Sequence, residues 1–336
     1  MDPRGRGVPR ARLRARRSRR LSGTREAGVL GLIGGTPLVP LGPLAAGLPV
    51  PVLAKCEHLN PGGSVKDRIA LAIVRDAEQR GALRPGDTIV EATAGNTGLG
   101  LALVAGACGY RLVCVMPEKM SLDKRTTLAA LGARVEITRN APLGDPENFQ
   151  QVARRLAAEH GWFLADQFCN PANPLVHERT TGPEILAQAG GRIGAFVAGA
   201  GTGGTITGVG RHLRRECPGA RVVLADPLGS GLADWVETGT AGPDTGYLIE
   251  GIGAGAAPAV MERGVIDAAE RIPDDESVAT VGRLLREEGL LVGGSAGTAV
   301  AAALRVARSG ELDGPVVVLL PDSWDRYLST SWLRGL

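Results

Sequence analysis

Short, mostly apolar runs recur along this 336-residue chain, each leading through a turn of small residues into a longer helical pattern. Runs at 50–54, 88–91, 112–116, 135–138, 195–198, 222–225 and 316–320 read as strands. Helices are expected from Ser64, through 101–107, and over 123–131, 146–159, 205–215, 277–288 and 299–307, with a closing helix after the last strand. Near-continuous apolar strands separated by helices require parallel sheets covered on both faces. Two such sheets in one chain give an α/β protein of two doubly wound domains with a cleft between them. The expected division is an Arg-rich tail at 1–28, a smaller domain at 50–170, and a larger one from 29–49 plus 171–336. Ligands of such folds bind at the carboxyl ends of the strands, where all three glycine-rich loops fall.

The first of these loops is Asn60-Pro61-Gly62-Gly63-Ser64-Val65-Lys66-Asp67-Arg68. Ser64 followed by Asp67 reads as a variant capping box, with Ile69, Ile73, Val74 and Ala77 as the apolar face behind it. Lys66 then sits in the first helical turn, where the helix dipole disfavours the ammonium form and favours a neutral, nucleophilic amine. Such a lysine can form a Schiff base with an aldehyde cofactor. A solvated lysine beside a cap is the plain alternative.

Gly199-Ala200-Gly201-Thr202-Gly203-Gly204-Thr205 follows a strand and opens a helix, which makes a phosphate cradle from bare backbone N–H groups. It also fits the dinucleotide fingerprint at Gly199, Gly201 and Gly204, with Asp226 suitably downstream, so a nicotinamide-dependent oxidoreductase is a rival. The hydroxyl-rich loop suits a terminal phosphate better than a pyrophosphate. Thr93–Gly98 offers Asn96 to a phenolic oxygen and its N–H groups to a carboxylate; an Asn/Gly turn with a helix cap is the alternative. Ser323, after Pro321-Asp322, either caps the last helix or hydrogen-bonds a ring nitrogen.

Charge is distributed unevenly. Residues 1–26 hold ten Arg against Asp2 and Glu26, so a chain of net charge +3 has a mildly acidic body. With aromatics at only 3% of the chain, stacking platforms for nucleic acid are not expected. The Arg-rich segment is expected to be a disordered extension, or a start placed too early, rather than a binding arm. It lacks the apolar stretch of a secretory signal, and no apolar run is long enough to span a membrane. Five scattered cysteines (Cys56, Cys108, Cys114, Cys169 and Cys217) include no C-x-x-C pair, so neither a disulfide framework nor a metal site is expected. A reducing, cytoplasmic setting fits this usage.

Taken together, these segments resemble the cysteine synthase and cystathionine β-synthase family, the fold type II (tryptophan synthase β-like) pyridoxal 5′-phosphate enzymes. The resemblance runs from Leu32 to Leu336 and includes Ile33-Gly34-Gly35-Thr36-Pro37-Leu38, the lysine segment and Glu118-Lys119-Met120-Ser121. It continues through Gln167-Phe168-Cys169-Asn170-Pro171-Ala172-Asn173-Pro174, His177, Thr180-Thr181-Gly182-Pro183-Glu184, Gly251-Ile252-Gly253, Gly293-Gly294-Ser295 and Pro321-Asp322-Ser323. The resemblance implies that Lys66 is the Schiff-base lysine and catalytic base, and that Asn96 bonds the cofactor's 3′-oxygen. It further implies that Gly201, Thr202, Gly203, Gly204 and Thr205 hold the 5′-phosphate and that Ser323 faces the pyridine nitrogen. Thr93, Gly95, Thr97 and Gln167 would grip the substrate carboxylate. A homodimer is implied as well.

The implied reaction is β-replacement: a serine-type amino acid, serine or O-acetylserine, exchanges its Cβ substituent for a thiol or sulfide, giving cysteine or cystathionine. Synthesis of 2,3-diaminopropionate or another specialised amino acid is the alternative within the family. Asn96-Thr97 and the threonines of the phosphate loop separate the chain from the serine/threonine dehydratases. Glu118–Ser121 and Asp226-Pro227-Leu228-Gly229-Ser230 look like the cystathionine side, whereas Gly253-Ala254-Gly255 and Arg326-Tyr327-Leu328-Ser329-Thr330 look like the cysteine synthase side. One departure bears on the donor: Ala94 stands where the family loop usually has serine. The missing hydroxyl removes a possible hydrogen bond of roughly 0.5–1.5 kcal/mol to the bound amino acid.

Overall fold

The computed structural model describes residues 28–336 except Ala94, Leu143 and Glu311. Residues 1–27, with the Arg-rich segment expected to be disordered, lie outside the described residues. Two sheets organise the chain. The larger is built from β1 (Leu38–Pro40), β2 (Val52–Cys56), β7 (Ala195–Gly199), β8 (Arg221–Pro227), β9 (Ala268–Ile272) and β10 (Val316–Leu320). Their order is β1-β2-β10-β7-β8-β9, with β1 antiparallel to β2 and every other pair parallel. The smaller sheet contains β3 (Thr88–Ala92), β4 (Arg111–Pro117), β5 (Arg134–Thr138) and β6 (Phe163–Leu164). It runs β5-β4-β3-β6 and is wholly parallel.

Helices cover both faces of each sheet. Those of the chain's first half are α1 (Lys66–Gln79), α2 (Asn96–Cys108), α3 (Leu122–Ala130) and α4 (Phe149–His160). Then follow α5 (Ala172–Val176), α6 (Gly182–Gln188), α7 (Gly204–Glu216), α8 (Leu232–Thr238), α9 (Asp274–Arg283), α10 (Gly294–Arg308) and α11 (Ser331–Arg334). On the smaller sheet Ile69, Ile73 and Val74 of α1 and Leu101 and Val104 of α2 fill one face, while Val152 and Ala153 of α4 fill the other. On the larger sheet the alanine-rich α10 covers one face and α7 with α8 the other. Two-sided cover is why β3 and β10 are buried at all five positions each and carry no polar alternation.

The strands and helices expected from the sequence are all present, with two differences that matter. The strand expected at 50–54 forms as β2, and although it lies within the segment expected to be the smaller domain, it pairs with β10 in the larger sheet. The capping arrangement of α1 also differs: Val65 is the N-cap, Ser64 Oγ accepts from Lys66 N at 3.3 Å, and Asp67 reaches back to Gly62 N at 2.6 Å. The acidic side chain therefore tightens the Pro-Gly-Gly turn instead of closing a box with Ser64. Elements not anticipated are β1, β6, β9, α5, α6 and α8. β1 and β6 are three and two residues long, β9 is an edge strand buried fully only at Ile272, and Asn-Pro-Ala-Asn-Pro reads locally as a turn.

Candidate active site

The carboxyl ends of β2, β10, β7 and β3 open into the loops singled out above, as expected for parallel sheets. Two of these loops are stitched together directly. Val65 N donates to Pro321 O at 2.8 Å and Ser323 N to Gly63 O at 3.2 Å, so the loop before α1 lies along the segment that leaves β10. Helix α2 packs against the start of α1: a Cβ at Gly100 would stand only 3.0 Å from Lys66 O. Small residues in α2 thus let Lys66 and Asn96, each the first residue of its helix, approach one another.

Two lysines have ammonium groups that burial makes harder to charge, Lys55 and Lys66. Lys55 is fully committed, with Nζ donating to Thr36 O at 2.7 Å, Glu184 at 2.8 Å and Gln188 at 2.9 Å. Lys66 Nζ makes no hydrogen bond among the described residues; the Asp322 carboxylate opposes its deprotonation only through its charge. Burial in turn raises the Asp322 pKa, against hydrogen bonds from Tyr327 and Asn96. Burial biases both members of the pair toward their neutral forms, and for Lys66 the neutral form is the nucleophilic one.

An ionic cluster behind α1 fixes where that amine sits. Arg68 donates to Glu57 at 2.7 and 2.8 Å and to Glu184 at 2.8 and 2.7 Å. Thr36 Oγ1 and Asn60 Nδ2 complete Glu57, which is 0% exposed. Burial works against the Glu57 charge, but Arg68 and these hydrogen bonds outweigh it and hold its carboxyl low. Since Arg68 is two residues beyond Lys66, the cluster ties the first turn of α1 to the end of β2 and to α6.

The remaining expected residues gather at the same loops. Asn96 Nδ2 donates to Asp322 Oδ2 at 2.7 Å and its Oδ1 accepts from Arg326 at 2.9 Å. Arg326 also donates to Gly62 O, and Tyr327 donates to Asp322 at 2.6 Å. Ser323 stands at the N-cap of the following helical turn, yet its side chain makes no capping bond, so its hydroxyl is left for another partner. Thr93 does cap: its Oγ1 accepts from Gly95 N at 3.0 Å and Gly98 N at 3.1 Å. Gly95 has φ of +152°, a conformation that favours glycine. Thr97 donates to Gln167 Oε1 at 2.5 Å, and Gln167 donates to Ala92 O at 3.1 Å.

The threonine-glycine loop leads into α7, whose N-cap Gly203 (φ +78°) gives no side-chain cap; Gly204 N, the first N–H of the helix, makes only a long contact of 3.4 Å with Thr202 Oγ1. A Cβ on Gly203 would stand 2.5 Å from Met261, and one on Gly201 or Gly204 would overlap Gly251 O or Asn173. The loop is bare because its surroundings leave no room. Asp226, the acidic residue of the rival fingerprint, is 0% exposed and accepts from Ala233 N at 2.8 Å. Its Oδ2 ties down the start of α8, and full burial keeps the carboxylate from a ribose.

The chemistry at these loops suits pyridoxal phosphate: an uncommitted amine, a neighbouring amide, a hydroxyl that makes no capping bond and a glycine-rich helix start flanked by threonines. The profile of the pyridoxal-phosphate dependent enzymes matches residues 29–322. The chain belongs to that family. Among family relatives, cystathionine beta-synthase of Rattus norvegicus is 46% identical over 313 residues, covering 91% of this chain and 56% of the relative. The chain thus spans about half the length of that relative. Cysteine synthase of Staphylococcus aureus (strain Mu50) is 44% identical over 300 residues, covering 89% of this chain and 94% of the relative. The crystal structure of O-ureido-L-serine synthase superposes with a TM-score of 0.85 at 42% identity, covering 93% of this chain and 96% of that one. The pyridoxal-phosphate fold accounts for the paired sheets.

Several family-site groups were not assigned roles from the sequence. Asp322, Arg326 and Tyr327 were visible only as pieces of a resemblance, and Asn173 and His177 likewise. Asp322 and Arg326 meet Asn96 across 226 and 230 positions, and Asn173 and His177 meet Thr202 and Thr205 across 29 and 28, contacts that no local pattern encodes.

Proposed function

We propose that the chain catalyses pyridoxal-phosphate-dependent β-replacement on a serine-type amino acid, with a thiol or sulfide as the incoming group, giving cysteine or cystathionine. The observation that carries this reading is Lys66: partly buried, biased to neutrality and without a hydrogen bond of its own. When bound, pyridoxal phosphate withdraws electrons from an attached amino acid and so acidifies its Cα proton.

The chain's own residues do the rest. Lys66 Nζ would hold the cofactor in the resting enzyme and would move the Cα proton of the bound amino acid. The N–H groups and hydroxyls of Gly201–Thr205 bind the phosphate, aided by the α7 dipole. Asn96 orients the ring through its 3′-oxygen. Ser323 would offer the ring nitrogen a neutral hydroxyl rather than a carboxylate, and so would not hold that nitrogen protonated. Thr93, Gly95 and Thr97, braced by Gln167, hold the substrate carboxylate. The names of the relatives support the sulfur reading, and O-ureido-L-serine synthase keeps nitrogen or oxygen acceptors in play, including a route to 2,3-diaminopropionate. A homodimer in the cytoplasm, with a smaller unit moving over the substrate, completes the proposal.

The test crosses O-acetylserine, O-phosphoserine and serine with sulfide, homocysteine and ammonia, using purified protein and product analysis. Cysteine or cystathionine formation, together with a visible cofactor band lost in Lys66→Ala, is the expected result. A band that survives Lys66→Ala, or a protein that turns over none of the pairs, would remove the reading.

A further inference from the structure

Helix α5 continues into a π-helical turn at His177–Thr181, and this segment lies against the start of α7. Asn173 and His177, four residues apart, share its inner face, and each is 1% exposed. Opposite them on α7 stand Gly204 and Gly208, also four apart. A Cβ on Gly204 would overlap Asn173, and one on Gly208 would overlap Pro174 O and stand 2.7 Å from His177 Cβ. The two polar side chains are thus seated in the only places the glycines leave for them.

We propose that Asn173 and His177 are positioning residues of the phosphate cradle: each gives an N–H to a threonine oxygen, Thr202 and Thr205, so that both hydroxyl protons are aimed at the anion. This rests on the reading that Gly201–Thr205 holds the phosphate of pyridoxal phosphate. Asn173 Nδ2 donates to Thr202 Oγ1 at 3.0 Å and to Gln167 O at 2.8 Å. Gly204 N reaches the same Thr202 oxygen at 3.4 Å. That oxygen is therefore occupied as an acceptor, and its own proton is free to point outward.

His177 does the equivalent for Thr205. Its Nε2 lies 3.2 Å from Thr205 Oγ1 and its Nδ1 lies 2.9 Å from Thr181 Oγ1. Burial, with the Arg68 charge nearby, lowers its pKa to about 3, so the ring is neutral and has one proton to place. A phosphate dianion only accepts hydrogen bonds, so the Thr205 proton goes to the phosphate and its oxygen must receive one from His177. The order is then Thr181 O–H to Nδ1, Nε2–H to Thr205 Oγ1, and Thr205 O–H to phosphate. Thr181 is 0% exposed and serves to select this tautomer. Through Gln167, Asn173 also joins the phosphate loop to Thr97 in the substrate loop.

The test compares the affinity of full-length protein for pyridoxal phosphate and for pyridoxal, which lacks the phosphate, in wild type, His177→Phe, His177→Gln, Thr181→Val and Thr205→Val. Loss of the N–H that keeps Thr205 Oγ1 occupied as an acceptor should cut the preference for the phosphorylated form about two- to tenfold in His177→Phe, with pyridoxal affinity unchanged. His177→Gln, which keeps an N–H, should recover part of it. Adding Thr205→Val to His177→Phe should cost little more. Nitrogen-15 spectra of the holoenzyme should show His177 protonated at Nε2, and Thr181→Val should weaken that bias even if His177→Phe fails to fold. An Nδ1-protonated ring, or equal losses for pyridoxal and its phosphate, would overturn the proposal. Wild type that shows no preference for the phosphorylated form would instead overturn the phosphate reading beneath it.

Discussion

Glu91 is the costliest charge in the smaller sheet, and replacing it should stabilise the protein. It occupies β3, whose five residues are all buried, and neither carboxylate oxygen has a well-formed hydrogen bond among the described residues; Gln167 and the Asp166 backbone, close by, offset only part of the burial. Burial, and then the charge of Asp166, raise its pKa from 4.5 to about 8. The unfolded chain releases this proton near 4.5 and the folded protein holds it until about 8, so the native state binds more protons between these limits. Stability therefore falls as pH rises through that window. At pH 7 the accumulated cost is about 3 kcal/mol, and about 1 kcal/mol more is lost between pH 7 and 8.

Lys55, Lys66 and Asp322, also shifted by burial, are common to wild type and a Glu91 variant, so the difference between the two proteins isolates the residue. Asp67 and Asp226, raised by burial to about 6, have finished titrating below that last interval. The buried histidines His58, His177 and His212 act with the opposite sign, and only below their ordinary value of 6.5. Cys56 and Cys114 contribute only above the ordinary thiol value of 9.0. Chemical denaturation of Glu91→Gln should then show higher stability at pH 7 and an advantage over wild type that grows by about 1 kcal/mol from pH 7 to 8. Parallel decline in both proteins, or a less stable variant, would refute the assignment of this cost to Glu91.

Other perturbations follow from the same contacts. Arg68→Met should destabilise by about 3–5 kcal/mol, read by denaturation, because it strands Glu57 as a buried unpaired charge; adding Glu57→Gln should recover part of the loss. Glu184, held by Arg68 and Lys55 at about 2 despite partial burial, lends stability above pH 4.5 that is lost as pH falls toward 2. Glu184→Gln should flatten this acid limb in a pH-denaturation series. Gly204→Ala should weaken cofactor binding in an absorbance titration while leaving the helical circular dichroism intact, since the added methyl displaces Asn173. Ala94→Ser, which restores a hydroxyl to the substrate loop, should lower the KM for the amino acid donor about two- to tenfold in steady-state assays.

The sheets and the cofactor loops were legible early because they rest on local rules. Apolar runs such as Val316–Leu320 need cover on both faces, and glycines at a helix start mark backbone that a ligand approaches. Lys66 was legible for the same reason, as the first residue of an amphipathic helix behind a Pro-Gly-Gly turn. The chain of contacts from Thr181 through His177 to Thr205 was not, since α5 is written in proline and asparagine and resembles a turn until α7 packs on it.

The amino-acid order by itself determined the periodicities, the strand and helix types and the chemistry available at each loop, because these depend on neighbours a few residues apart. Only the tertiary structure decided that β2 belongs to the larger sheet, that Asp322 faces Lys66, and that Lys55 is tied up while Lys66 is free. Burial and hydrogen-bond commitment set the protonation state of an amine, and both are properties of what the fold brings beside it.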